Sequence, residues 1–180
     1  MVRTSIGFTS LFASAMLGCA SSHPVVDDAA RRQMLTLLMP SRIKIVQPFT
    51  RIKSFDADAT PDGIELLLQA VNSLDNPGLM IAGHVRIELY EYVKASGDQK
   101  GRRLESWNVD LTDEQHQRTY WNQLTQMYEF RVGVDPATVR PADRYVLVVT
   151  YDSPLGERLT DEYVIRSPQA GGPMGGSSDG

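Results

Sequence analysis

From Arg42 onward the chain alternates apolar and polar residues with a period of two, in short runs broken by turn chemistry. This regularity constrains the fold more than any other feature, because successive side chains of a strand point to opposite faces of a sheet. The segment "HVRIELYEYV" shows it best: Val85, Ile87 and Leu89 share one face, and Arg86, Glu88 and Tyr90 the other. "RIKIV", "GIELLLQAVN", "MYEFRVGV", "RYVLVVTYD" and "RLTDEYVIR" repeat the pattern. "RIKSFDAD" is less ordered, and "RLESWNVDL" offers Leu104, Trp107 or Val109 to its inner face. Turn residues separate the runs at Pro61-Asp62-Gly63, Asp75-Asn76-Pro77-Gly78, Ser96-Gly97-Asp98, Asp135-Pro136 and Ser153-Pro154-Leu155-Gly156. About seven to eight short strands with turns every 8 to 12 residues predict an all-β protein, an antiparallel β-sandwich.

Two segments depart from period two. "DDAARRQMLTLLMP" opens on Asp27 and Asp28, carries Met34, Leu35, Leu37 and Leu38, and stops at Pro40, which predicts a short amphipathic helix. "LTDEQHQRTYWNQLTQ" is polar; Thr112 and Gln115 fit a capping box, and the spacing predicts a crossover containing a helical turn.

The chain's only cysteine, Cys19, follows a short apolar run. Arg3, then "SIGFTSLFASAMLG", gives the order of a secretory signal: basic start, apolar middle, small residues before the cut. That stretch is shorter than the roughly 20 residues that cross a bilayer core. It resembles a bacterial lipoprotein signal, with Gly18 as the small residue at the cleavage point and Cys19 as the acylated residue. Leu17 and Met16 fill positions where Ala or Ser and Leu are commoner. The resemblance implies removal of residues 1–18, a lipid on Cys19, and a membrane partner reached through that lipid. Ala20 is similar to residues that permit sorting to the outer membrane, with the domain facing the periplasm. Simple export after cleavage is the alternative. An acylated cysteine also avoids the oxidation to which a bare exported thiol is open.

The implied organisation is a signal peptide over 1–18 and a lipid-anchored tether with a short helix over 19–40. A sandwich domain follows over 41–167, and a disordered Gly/Ser/Pro tail over 168–180. Removing 1–18 deletes Arg3 and no acid, so the remainder is more acidic than the whole chain's net −4. That balance speaks against nucleic acid as a partner, which requires a basic face. The remaining length suffices to bury a core without disulfides.

"PADRYVLVV" resembles the tyrosine corner of immunoglobulin-like sandwiches and suggests structural roles for Asp143 and Tyr145. Transthyretin-like sandwiches share the architecture. Leu147 stands where an antibody domain has cysteine, so the resemblance is to the wider sandwich class. "VNSLDNPG" before "HVRIELYEY", together with "RYVLVVTYDS", resembles the small sandwich lipoprotein that plants type VI secretion machinery in the outer membrane. That likeness implies a component of a secretion assembly.

Chemistry-bearing motifs are few. "DADATPDG" alternates oxygen-bearing side chains as calcium loops do, which makes Asp56, Asp58 and Asp62 metal candidates. Pro61 and Leu67, however, stand where an EF-hand needs Gly and Glu, so a turn is the simpler reading. His23, His84 and His116 have no His or Cys at zinc-ligand spacing. No nucleophile elbow or phosphate-cradling glycine loop occurs. The sequence therefore predicts no enzyme, no cofactor and no metal, and a lipid-anchored envelope protein with a structural or protein-interaction role. The alternative is a sandwich binding a small ligand, lipid or glycan through Trp107, Tyr120, Trp121, Tyr128, Tyr90 and Tyr92.

Overall fold

The computed structural model describes residues 28–56, 60–140 and 143–168. In chain order its elements are α1 (Asp28–Leu38), β1 (Pro40–Ile45), β2 (Arg51–Lys53), β3 (Gly63–Asn72), β4 (His84–Tyr92) and β5 (Lys100–Asp110). There follow α2 (Glu114–Tyr120), β6 (Trp121–Asn122), β7 (Met127–Gly133), β8 (Arg144–Asp152) and β9 (Arg158–Arg166). Two antiparallel sheets result. One has the order β1-β3-β7-β6, with β2 also pairing β3; the other has the order β5-β4-β8-β9. The protein is the all-β sandwich that the alternation predicts. The strand beyond the expected number is the two-residue β6, too short to leave a periodic signal.

The inward positions meet in one core. Ile43, Ile45, Ile64, Leu66, Leu68, Phe130 and Val132 come from the first sheet, and Val85, Ile87, Leu89, Leu147 and Val149 from the second. The uncertain strand β5 is explained by its register. Trp107 pairs with Ile87 and Val109 with Val85, but the pairing slips between Leu89 and Tyr90. A bulge inserts an extra residue, and so Leu104 and Trp107, three residues apart, both pack against the core.

One sheet edge is closed by side chains. β1 and β2 form one interrupted edge along β3, broken by the turn Gln47–Phe49. Across the break the Thr50 hydroxyl accepts from the Leu67 amide at 3.2 Å, and the Val46 amide donates to the Leu67 carbonyl at 2.9 Å. β9 packs against β1 across the gap between the sheets. There the Asp161 carboxylate accepts from the Ile45 amide at 2.6 Å. An inward carboxylate thus satisfies an edge donor that would otherwise invite another strand.

On β8 the alternation predicts one buried face and one wet face, and the structure corrects this. Val146 and Val148 are buried, as is Leu147 between them. The outer face is covered by long polar side chains. Glu88 lies flat beside Val148, its ion pair to Arg103 at 2.8 Å. Lys100 on β5 reaches Glu162 on β9 at 2.8 Å, spanning the two strands between them. The aliphatic stems of such residues cover apolar surface while their charged heads stay wet.

Strand directions give the sandwich two ends. His84, Asp110, Asp152 and Arg158 share one end, and Pro40 with Asn72 lies there too, because Ser41, Ser73 and Arg158 line one groove. This is the α1 end. Residues 54–56, 60–62, 93–99 and 134–140 lie at the far end.

On these grounds Leu147→Ala is expected to cost about 2–5 kcal/mol and Val148→Ala about 1–3 kcal/mol in denaturant unfolding. A loss under about 0.5 kcal/mol for Val148→Ala, typical of an open surface site, would show that the outer face is not covered.

Candidate functional site

The α1 end carries the largest concentration of unburied apolar side chains. No residue of α1 is buried. Met34 is 63% exposed and Leu38 64%, with Leu35 and Leu37 beside them on the helix. Spacing of i, i+1 and i+4 puts Met34, Leu35 and Leu38 on one side. Two loops of the same end add Leu74 and Leu155, 62% and 65% exposed. Between α1 and these loops runs a groove of about 410 Å³, lined by Thr36, Met39, Ser73, Glu157 and Leu159 among others.

The helix is fixed to the sheet by one buried amide. Asn72 donates to the Leu37 carbonyl at 3.2 Å, while its own carbonyl oxygen accepts from the Leu74 and Asn76 amides at 3.0 Å each. One side chain therefore serves an orphan carbonyl of the helix end and shapes the loop that carries Leu74. Arg42 meets Asp75 in the same loop at 2.8 Å.

Of the residues singled out in the sequence, Gly18, Cys19 and Asp58 lie outside the described residues, as do 169–180 of the tail. Asp56 accepts from the Ser54 hydroxyl at 2.8 Å, and Asp62 from the Phe55 amide at 2.7 Å. Both carboxylates serve the turn that carries them. Among the described residues no group of three acidic, histidine or cysteine side chains converges.

Tyr145 is 4% exposed, and its hydroxyl accepts from the Arg140 amide at 2.7 Å. Burial pushes its phenol pKa up, against the opposing effect of that hydrogen bond. Asp143 acts through its main chain, whose carbonyl accepts from the Ser167 amide at 2.9 Å. The two residues tie segment 134–143 and the chain's exit to the start of β8.

The aromatic residues divide. Tyr128 and Phe130 are fully buried and parallel, 6.0 Å apart. Tyr120 and Trp121 pack on them from outside, at 5.1 and 5.0 Å. Trp107 is half-buried against the core, and Tyr90 lies half-buried on the covered outer face. Trp121 also borders an open cleft, of about 680 Å³, with Met80, Gln117 and Gln126, and Tyr92 borders another at the far end. α2 is capped by Asp113, which accepts from the Gln115 and His116 amides, rather than by Thr112, whose hydroxyl donates to Asp110.

Sequence reasoning missed two features. One is the set of hydrogen bonds around Tyr128. The other is a cleft at the far end where Arg102, Arg103, Arg140 and Arg144 meet. The arginines come from separate runs, so no motif announces them. No protein-family model matches the chain, and no curated protein shows significant similarity to it.

Tyr145→Phe keeps the ring but leaves the Arg140 amide without its acceptor. It is expected to cost about 1–3 kcal/mol by denaturant unfolding; an unchanged midpoint would mean that water replaces the hydroxyl and that the bond does not hold segment 134–143.

Proposed function

We propose that the protein is a lipid-anchored, non-enzymatic component of the cell envelope. Residues 1–18 are removed, Cys19 carries the lipid, and the sandwich stands in the periplasm as an interaction module. The observation that carries this reading is the apolar α1 end. Residues 19–27 reach at most about 30 Å when extended, so a lipid on Cys19 keeps α1 close to the membrane surface. A short helix with exposed Met34, Leu35, Leu37 and Leu38 beside Arg31 and Arg32 suits that boundary, where apolar side chains enter the headgroup region and basic ones meet anionic lipid.

Other observations fit. Among the described residues no helix is long and apolar enough to cross a membrane. Attachment would therefore rest on the lipid, each buried methylene of which contributes about 0.8 kcal/mol. Ala20 supports placement in the outer membrane. The core is packed without a disulfide, so Cys19 is free for the anchor. The β1 edge donor at Ile45 is occupied by the Asp161 carboxylate.

Cys19→Ser is expected to leave the precursor uncleaved and without metabolic fatty-acid label, since a hydroxyl cannot replace the thiolate in diacylglyceryl transfer. A wild-type N-terminus mapping downstream of Cys19, or label retained by the serine variant, would overturn the reading.

A further inference from the structure

We infer that the far end of the sandwich holds a binding site for a small oxyanion, a ligand presenting phosphate or carboxylate oxygens. The site is a cleft of about 590 Å³ between the end of β4, the start of β5, residues 137–140 and the start of β8. Four arginines line it in a chain whose net charge is −4. Local positive charge within an acidic molecule requires a local cause, and here three separate parts of the chain supply it.

The four arginines are held in different ways. Arg102 pairs with Glu91 at 3.1 Å, and Arg103 with the nearly buried Glu88 at 2.8 Å. Each pair neutralises one charge and fixes one arm. Arg144 lies over the Tyr92 ring, 4.1 Å from its centroid. Stacking orients the guanidinium and leaves its edge donors available. Arg140 is positioned through its main chain, whose amide donates to Tyr145. Arg140 and Arg144 form no ion pair among the described residues. Asp143 is the remaining acid on the lining, so the cleft keeps a net positive charge.

An arginine fork matches the paired oxygens of phosphate or carboxylate, and each bond to a charged group is stronger than a neutral one. Nothing in the cleft suits an extended apolar ligand, whereas Tyr92 offers a ring edge for a compact one. The cleft also lies opposite α1. The inference does not depend on the lipid anchor, and a soluble anion reaches the cleft whichever surface the other end faces.

The test is calorimetric titration of the full chain, in a neutral detergent, with inorganic phosphate and separately with citrate, at fixed ionic strength. Saturable binding of at least one probe is expected, and the two arms show whether phosphate or carboxylate is preferred. The amides of Thr138, Arg140 and Arg144 should shift in spectra of the labelled protein. Arg140→Gln and Arg144→Gln should each weaken binding about tenfold, the loss of one charge-assisted hydrogen bond. Arg42→Gln, at the opposite end, should leave it unchanged. Both variants alter exposed side chains, and their melts report whether they fold; Arg144→Lys, which keeps the charge but loses the fork, should bind at an intermediate level. No saturable heat with either probe, or binding lost equally in Arg42→Gln, would overturn the site.

Discussion

A single buried hydroxyl, that of Tyr128, holds together the parts of the sandwich that strand pairing leaves loose. Two long connections, 73–83 and 111–126, run over the α1 end. Each touches a sheet only briefly, the first through the Val71–Pro77 bridge and the second through β6. The Tyr128 hydroxyl accepts from the Ile81 amide at 2.8 Å and donates to the Gln117 side chain at 2.7 Å, with the Ile81 carbonyl a second acceptor at 3.1 Å. Gln117 in turn donates to the Ile81 and Leu111 carbonyls at 2.6 and 2.5 Å. One phenol thereby satisfies groups of β7's neighbours on both connections. Burial raises its pKa despite these bonds, which keeps it protonated and able to donate. Were the hydroxyl absent, several buried polar groups would lose partners together, at about 1–3 kcal/mol each.

With the connections fixed, the two ends of the molecule acquire opposite characters. The α1 end exposes Met34, Leu38, Leu74 and Leu155, while the far end gathers four arginines. Asp161 occupies the β1 edge donor, and Lys100 and Glu162 bridge the outer face of the second sheet. A molecule with two distinct ends suits a body tethered at one end and open to solution at the other. The same geometry separates the proposed lipid contact from the proposed anion site by the full length of the strands.

How much of this could be read from the sequence depended on whether the signal was local. β4 alternates and turn residues bound the runs, and the sandwich follows from them, although β8 is apolar on both faces from Tyr145 to Val149. That α1 is a short helix was equally plain from Met34, Leu35, Leu37 and Leu38 before Pro40; that its apolar face stays unburied was not. The inner face of β5 was not, because a bulge lets Leu104 and Trp107 share the core. The wet face expected at Val146 and Val148 is buried for a related reason: Lys100, which reaches across that face to Glu162 on the neighbouring β9, lies on a strand far away in sequence. The alternating oxygens of Asp56 and Asp62 belong to a turn, where short polar side chains bond their own backbone. The arginine cleft left no local trace, since its members sit on β5, β8 and the segment before β8 and meet only after folding. Asp161 shows the same limit, for a carboxylate on an edge strand reads as surface until its partner, the Ile45 amide, is placed.

The account's central claim is that the α1 end faces lipid and the arginine end faces away. Cys19 would be consumed by acylation, so an introduced cysteine becomes the only reactive thiol. Full-length protein labelled with a fluorophore at Leu38→Cys, or alternatively at Thr138→Cys, is reconstituted through its native anchor into vesicles containing a spin-labelled lipid as quencher. Strong quenching at position 38 and none at position 138 is the predicted result. Equal quenching at the two positions, or stronger quenching at 138, would contradict the orientation and with it the role given to α1.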